Sequence, residues 1–146
     1  MQEELKGRMI RHFRFLENEL EDYDGFRALT WAAYNTDRKA RRDVERWVEN
    51  ILNSTIDIAR LVIRAEEKAV PGTCREMVSL LGLVPGFKQE QLTELSQWVS
   101  LRNVLSHEYL DVKWNSIKRF IAEAEPLYRD FLQQVRDYIA RNLGPG

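Results

Sequence analysis

The sequence predicts an all-α protein: an up-and-down bundle of four to five helices in one domain spanning residues 1–146. Three observations carry this. Apolar residues recur at steps of three and four along most of the chain, the period of one helix face. Only seven Gly and four Pro occur in 146 residues, too few for a fold of many turns. No strand-like alternation of useful length, internal repeat or low-complexity segment interrupts the pattern. A chain of this length buries about 68–70% of the surface its unfolded form exposes, so no disulfide or structural metal is needed to hold it.

The first helix carries Leu5, Met9, Phe13, Leu16 and Leu20 on one face. Arg8, Arg11, Glu17, Glu19 and Glu21 lie opposite. Asp22-Tyr23-Asp24-Gly25 favours a turn. Phe26 to Tyr34 is apolar and aromatic, either a short helix or a continuation of the first. Asn35-Thr36-Asp37 then supplies N-cap chemistry. A long helix should run from there to about Lys68, with Val44, Trp47, Val48, Ile51, Ile58, Leu61, Val62 and Ala65 as its apolar stripe. Val70-Pro71-Gly72 stops it.

Thr73 can cap the next, short helix, with Glu76 three residues on as in a capping box. Met77, Leu80 and Leu81 are its apolar side, and Gly82 with Pro85-Gly86 ends it. A fourth helix should begin near Gln89, carry Leu92, Leu95, Val99 and either Leu101 or Arg102 at helical spacing with Trp98 beside them, and end near Ser106-His107. The last starts after Asp111. Ile117, Phe120, Ile121, Ala124, Leu127, Phe131, Val135 and Ile139 form its stripe, and Pro126 bends it or marks a break. Gly144-Pro145-Gly146 reads as a frayed end.

Charge narrows the possible partners. Lys and Arg number 22 against 23 Asp and Glu, a formal net charge of −1. No global positive excess is available to coat long nucleic acid through many phosphates, so any such binding must be local. Cys74 is the only cysteine, which excludes an intrachain disulfide and a Cys-based zinc site and fits a reducing cytoplasm. The charged start MQEELKGRMIRHF has no apolar core of a signal peptide. No run approaches 18 consecutive apolar residues, so no membrane association is expected.

One segment stands apart: Leu101-Arg102-Asn103-Val104-Leu105-Ser106-His107-Glu108-Tyr109. It gathers a guanidinium, an amide, a hydroxyl, an imidazole and a phenol. An Arg five residues before a His is common by chance. With Asn beside the Arg and Tyr two after the His, chance falls to roughly one chain in several thousand.

RNVLSHEY resembles the R-x4-H-x-Y signature of the HEPN superfamily, in its HepT-like branch. The likeness extends to the long helix RRDVERWVENILNSTIDIARLVI, the short helix TCREMVSLL after Pro-Gly, and the final long helix, roughly residues 38 to 143. The first 37 residues resemble the family only in providing an N-terminal helix. The resemblance implies a HEPN-like bundle that dimerises. It implies a metal-independent endoribonuclease, the toxin of a type VII toxin–antitoxin pair, with Arg102 and His107 as the catalytic pair and no cofactor. The implied partner is a minimal, MNT-type nucleotidyltransferase antitoxin that transfers AMP to the motif tyrosine, here Tyr109. The implied substrate is RNA, single-stranded or tRNA-like.

The chemistry of the residues agrees. RNA cleavage needs a base for the 2′-hydroxyl proton and an acid for the leaving 5′-oxygen, and His serves both near neutral pH. A cation must hold the phosphorane oxygens, and Arg offers a fork of donors that does not deprotonate. A 2′-hydroxyl nucleophile makes the reaction RNA-specific. Residues five apart lie about 140° apart on a regular helix. Arg102 and His107 therefore converge only if the helix ends between them, with Ser106 a suitable place, or if two motifs meet across a dimer axis. Asn103, four before His107, is placed to orient the imidazole.

Each residue also has an ordinary explanation. His107 could simply complement a helix C-terminus. Arg102 could pair with Glu94 or Glu108. Asn103 and Ser106 could be C-cap residues, and Tyr109 a core or interface tyrosine. His12 lacks matching partners and reads as structural. Arg38-Lys39-Ala40-Arg41-Arg42 with Arg46 fits a solvated helix start with i,i+4 ion pairs better than an RNA track. Trp31, Trp47, Trp98 and Trp114 fit a core or dimer interface better than base stacking. Against the enzyme stands a second reading, a non-catalytic helical substrate-binding partner of a nucleotidyltransferase. An intact Arg102–His107 pair with Tyr109 favours the enzyme.

Overall fold

Thr30, Asp37 and Thr73 start three helices by capping them. The Thr30 hydroxyl accepts from Ala33 N at 3.2 Å, the Asp37 carboxylate from Lys39 N and Ala40 N at 3.0 and 3.2 Å, and the Thr73 hydroxyl from Glu76 N at 3.2 Å. Each satisfies an amide that has no partner inside its own helix. The computed structural model describes residues 2–143, so Gly144-Pro145-Gly146 lies outside the described residues.

The described residues form α1 (Gln2–Leu20), α2 (Tyr23–Arg27), α3 (Trp31–Thr36), α4 (Arg38–Ala65), α5 (Cys74–Leu80), a 3-10 turn (Leu81–Leu83), α6 (Gln89–Val99), α7 (Leu101–Leu105), α8 (Leu110–Glu123) and α9 (Glu125–Asn142). The fold is an all-α bundle. α4 is its spine, packing against α1, α3 and α5, while α9 covers α1 and α6. No helix among the described residues is long and apolar enough to cross a membrane.

The expected apolar stripes face inward. Met9, Leu16 and Leu20 of α1 meet Val44, Val48, Ile51 and Ile58 of α4 in one core, all with no accessible surface. Burying such side chains contributes roughly 1.5–3 kcal/mol each. At one end the Phe120 ring is surrounded by Tyr23, Trp47, Trp98 and Tyr128, with ring centroids 5.5–6.1 Å away. The hydroxyls of Tyr23 and Tyr128 are buried there without a hydrogen-bond partner among the described residues.

The structure departs from the sequence expectation at three junctions. The segment Phe26–Tyr34 is neither one short helix nor a continuation: α2 and α3 are separate, with Thr30 capping the second. α4 stops at Ala65 instead of near Lys68. Lys68 N donates to Ile63 O at 3.1 Å and Glu67 N to Arg64 O at 3.0 Å, a Schellman end with Glu67 at φ 56°. That left-handed position usually holds Gly, so no sequence signal marked it.

The fourth helix is two. At Ser100 the bonds tighten to three-residue steps, Ser100 N to Gln97 O at 3.2 Å and Asn103 N to Ser100 O at 3.1 Å. The last helix is divided as Pro126 indicated. It breaks at Ala124, and Pro126 sits in the first turn of α9, where its missing amide costs nothing.

Candidate active site

Leu101 and Leu105 are buried, four residues apart on the inner face of α7. That pair fixes which side chains turn outward: Arg102 and Asn103 are exposed. α7 then ends. Ser106 Oγ donates to Asn103 O at 2.7 Å, and His107 N closes the last turn on Val104 O at 3.0 Å. Ser106 thus acts as a helix-end residue. His107 and Glu108 form an exposed bend after it. Arg102 and His107 are therefore not on one regular helix, and His107 is not among the residues lining the cleft at Arg102.

Tyr109 follows in an extended conformation (φ −78°, ψ 112°) as the N-cap of α8. It is 72% exposed, so it is no core residue, and its phenol is open to a reagent. Asn103 makes no hydrogen bond to His107 among the described residues. Arg102 pairs with neither Glu94 nor Glu108. Its Nη1 instead donates to Cys74 Sγ across 3.5 Å. Arg102 and Asn103 line a cleft of about 320 Å³ with Thr73, Cys74, Arg75, Val99 and Ser100.

A network invisible to sequence reasoning anchors the far side of the motif. Lys113, one turn into α8, holds Glu45 of α4 at 3.4 Å, and Tyr34 Oη donates to the same carboxylate at 2.5 Å. Lys113 N also donates to Tyr109 O at 3.2 Å. Burial and the neighbouring Glu45 push the Tyr34 phenol well above its ordinary value, so it stays a donor. These partners are 11 and 68 residues apart in sequence, beyond any local pattern.

Elsewhere the outcome is mixed. Lys39 forms the expected i,i+4 pair with Asp43 at 2.8 Å, but Arg38, Arg42 and Arg46 make no ion pair among the described residues. Arg41 donates to the Tyr34 and Asn35 carbonyls at 3.0 and 3.1 Å. His12 Nδ1 faces Asp57 at 3.9 Å. Trp47 is core, Trp98 and Trp114 are half-buried, and Trp31 is exposed.

A family model described as "Ribonuclease HepT-like" matches residues 16–135. The chain belongs to the HepT-like ribonuclease family. The HepT-like match starts inside α1, so it takes in the last turn of that helix with α2 and α3, and it stops within α9, earlier than the motif-centred likeness indicated. It also contains the whole Arg102–Tyr109 segment.

Two solved structures share this HepT-like fold. One is a toxin–antitoxin with AMP-PNP (TM-score 0.78, 15% identity, 90% of this chain and 98% of that one covered). The other is a tri-AMPylated Shewanella oneidensis HEPN toxin in complex with MNT antitoxin (TM-score 0.75, 16% identity, 88% and 96% covered). No curated protein matches the chain.

Proposed function

We propose that the chain is the endoribonuclease toxin of a type VII toxin–antitoxin pair, acting on RNA in the cytoplasm as a homodimer without a metal ion. The observation that carries this is the outward display of Arg102, His107 and Tyr109 over one helix end and the bend after it, inside the HepT-like stretch.

His107 takes the proton of a 2′-hydroxyl. The 2′-oxygen bonds to the adjacent phosphorus, and the P–O5′ bond breaks. The leaving 5′-oxygen receives its proton from a second imidazole, the partner subunit's His107, and a 2′,3′-cyclic phosphate remains. Arg102 donates to the phosphorane oxygens as their charge grows. Asn103 and Ser106 support this pair, Ser106 by ending α7 before His107. Tyr109 is the AMP acceptor. Its phenolic oxygen attacks the α-phosphorus of ATP held by an MNT-type nucleotidyltransferase, and pyrophosphate leaves. A phosphodiester of that size and charge beside the bend repels an incoming RNA backbone.

The test is cleavage of single-stranded or tRNA-like RNA in EDTA by protein free of any partner. His107→Ala and Arg102→Ala each lower the rate by about 10²–10⁴-fold with the helical circular-dichroism signal unchanged. Full activity in His107→Ala, or a strict need for divalent metal, overturns the mechanism. Incubation with the nucleotidyltransferase and ATP adds AMP mass to the Tyr109 peptide, and none to Tyr109→Phe at that position. RNA binding with no cleavage under any condition identifies the non-catalytic partner instead.

A further inference from the structure

The cleft at Arg102 does not end there. Thr73 and Arg75 line it and also line a second opening of about 410 Å³, whose other walls are Glu76, Ser79, Thr93 and Ser96. The two openings form one groove running from α7 across α5 toward α6. Its walls mix apolar surface with the side chains of Thr73, Ser79, Thr93 and Ser96, and Glu76 is its one carboxylate.

Arg75 stands where the openings meet. It is exposed and makes no ion pair or hydrogen bond among the described residues. Other exposed cations, Arg38, Arg42 and Arg46 among them, are also outside ion pairs among the described residues, but Arg75 is the one that lines the cleft with Arg102. Two guanidinium groups outside any ion pair, lining one cleft, match the repeating charge of a single strand.

Resting on the ribonuclease reading, we propose that Arg75 is a substrate-positioning residue: it binds a phosphate of the RNA strand other than the one that reacts at Arg102. The groove then reads strand length. A dinucleotide fills the Arg102 end only, and a longer strand continues past Arg75. Arg75 touches no reacting atom, so its loss acts on binding and leaves the chemical step alone.

The experiment compares wild type, Arg75→Ala, Arg75→Lys and Arg102→Ala. Steady-state cleavage of a single-stranded RNA 12-mer is measured beside fluorescence-anisotropy binding of a 2′-O-methyl 12-mer, which cannot be cleaved. For Arg75→Ala, KM and the anisotropy Kd rise about tenfold while kcat stays within about twofold. The slope of log Kd against log salt becomes shallower by about 0.7, one phosphate contact on a single strand. Arg75→Lys restores most of the binding, and a dinucleotide is cleaved equally by wild type and Arg75→Ala. Unchanged KM and Kd in Arg75→Ala overturn the inference even when Arg102→Ala is inactive, and the ribonuclease reading then stands. Binding of the 12-mer that depends on Arg75, with no cleavage by wild type, overturns the ribonuclease reading and leaves the phosphate contact.

Discussion

Arg102 of α7 is tethered to Cys74 of α5 by a hydrogen bond of 3.5 Å from Nη1 to Sγ. The sulfur is a weak acceptor, so the contact orients the guanidinium without neutralising it. Adding bulk at Cys74 therefore displaces Arg102 from its cleft. Alkylation with N-ethylmaleimide should lower RNA cleavage by at least about tenfold, since small misplacements of a positioning cation are costly. Cys74→Ala should keep cleavage within about threefold and be indifferent to the reagent. An alkylated wild type of full activity refutes the tether.

Glu45 is shared by Lys113 and Tyr34, and its side chain and that of Lys113 are only 17% and 12% exposed. Removing the carboxylate strands a mostly buried ammonium and a phenol donor. Glu45→Ala should cost about 2 kcal/mol in urea unfolding. Adding Lys113→Met should recover part of this, because the unpaired charge leaves with its partner. A double variant less stable than the single one contradicts the account.

The Tyr23 hydroxyl is buried without a partner, while its ring packs on Trp47 and Phe120 and lies under the Arg27 guanidinium at 5.4 Å. Burial raises its phenol far above the ordinary value, so the group stays neutral throughout the working range. Tyr23→Phe keeps the ring and removes the stranded oxygen. It should leave stability unchanged or raise it by about 1 kcal/mol. A loss above 1 kcal/mol, roughly, would reveal a missing hydrogen-bond partner.

Glu125 accepts from Arg27 and, at 3.0 Å, from Arg129, which also donates to Leu20 O at 3.1 Å. Hydrogen bonding to Arg27, opposed by burial, holds its carboxyl below the ordinary 4.5. Folding thus favours the charged form. The stabilisation is complete above the unfolded value near 4.5 and disappears as pH falls through the lower folded value. Glu125→Gln should lower the urea midpoint at pH 7, and the gap to wild type should narrow steadily as the pH is lowered below 4.5. A gap independent of pH shows that packing, not charge, holds this corner.

The long helices were legible because their stripes are dense: Leu5 to Leu20 and Val44 to Ala65 repeat the three-and-four spacing, the second without Gly or Pro. Pro126 also announced its break. The break at Ser100 and the early end at Glu67 were not legible, since neither carries a breaker residue. The end of α1 shows the same limit. Its last carbonyls take Trp47 Nε1 on Glu19 O at 2.7 Å and Arg129 on Leu20 O, from 28 and 109 residues away. In the candidate site, the motif named Arg102, His107 and Tyr109 from identity and spacing alone. Cys74, Arg75 and the Glu45 network join them only through tertiary packing.

α7 has five residues, well below the length at which a helix stands alone in water. Its shape is lent by Leu101 and Leu105, while Arg102, Asn103, Ser106, His107 and Tyr109 bear on no part of the core. Substitutions of His107 and Tyr109, whose side chains make no hydrogen bond or ion pair among the described residues, therefore leave the fold intact. A disarmed copy would be made, persist and present the same surface as an armed one. Loss of activity and loss of structure are separable events in this protein, and abundance alone would never distinguish the two.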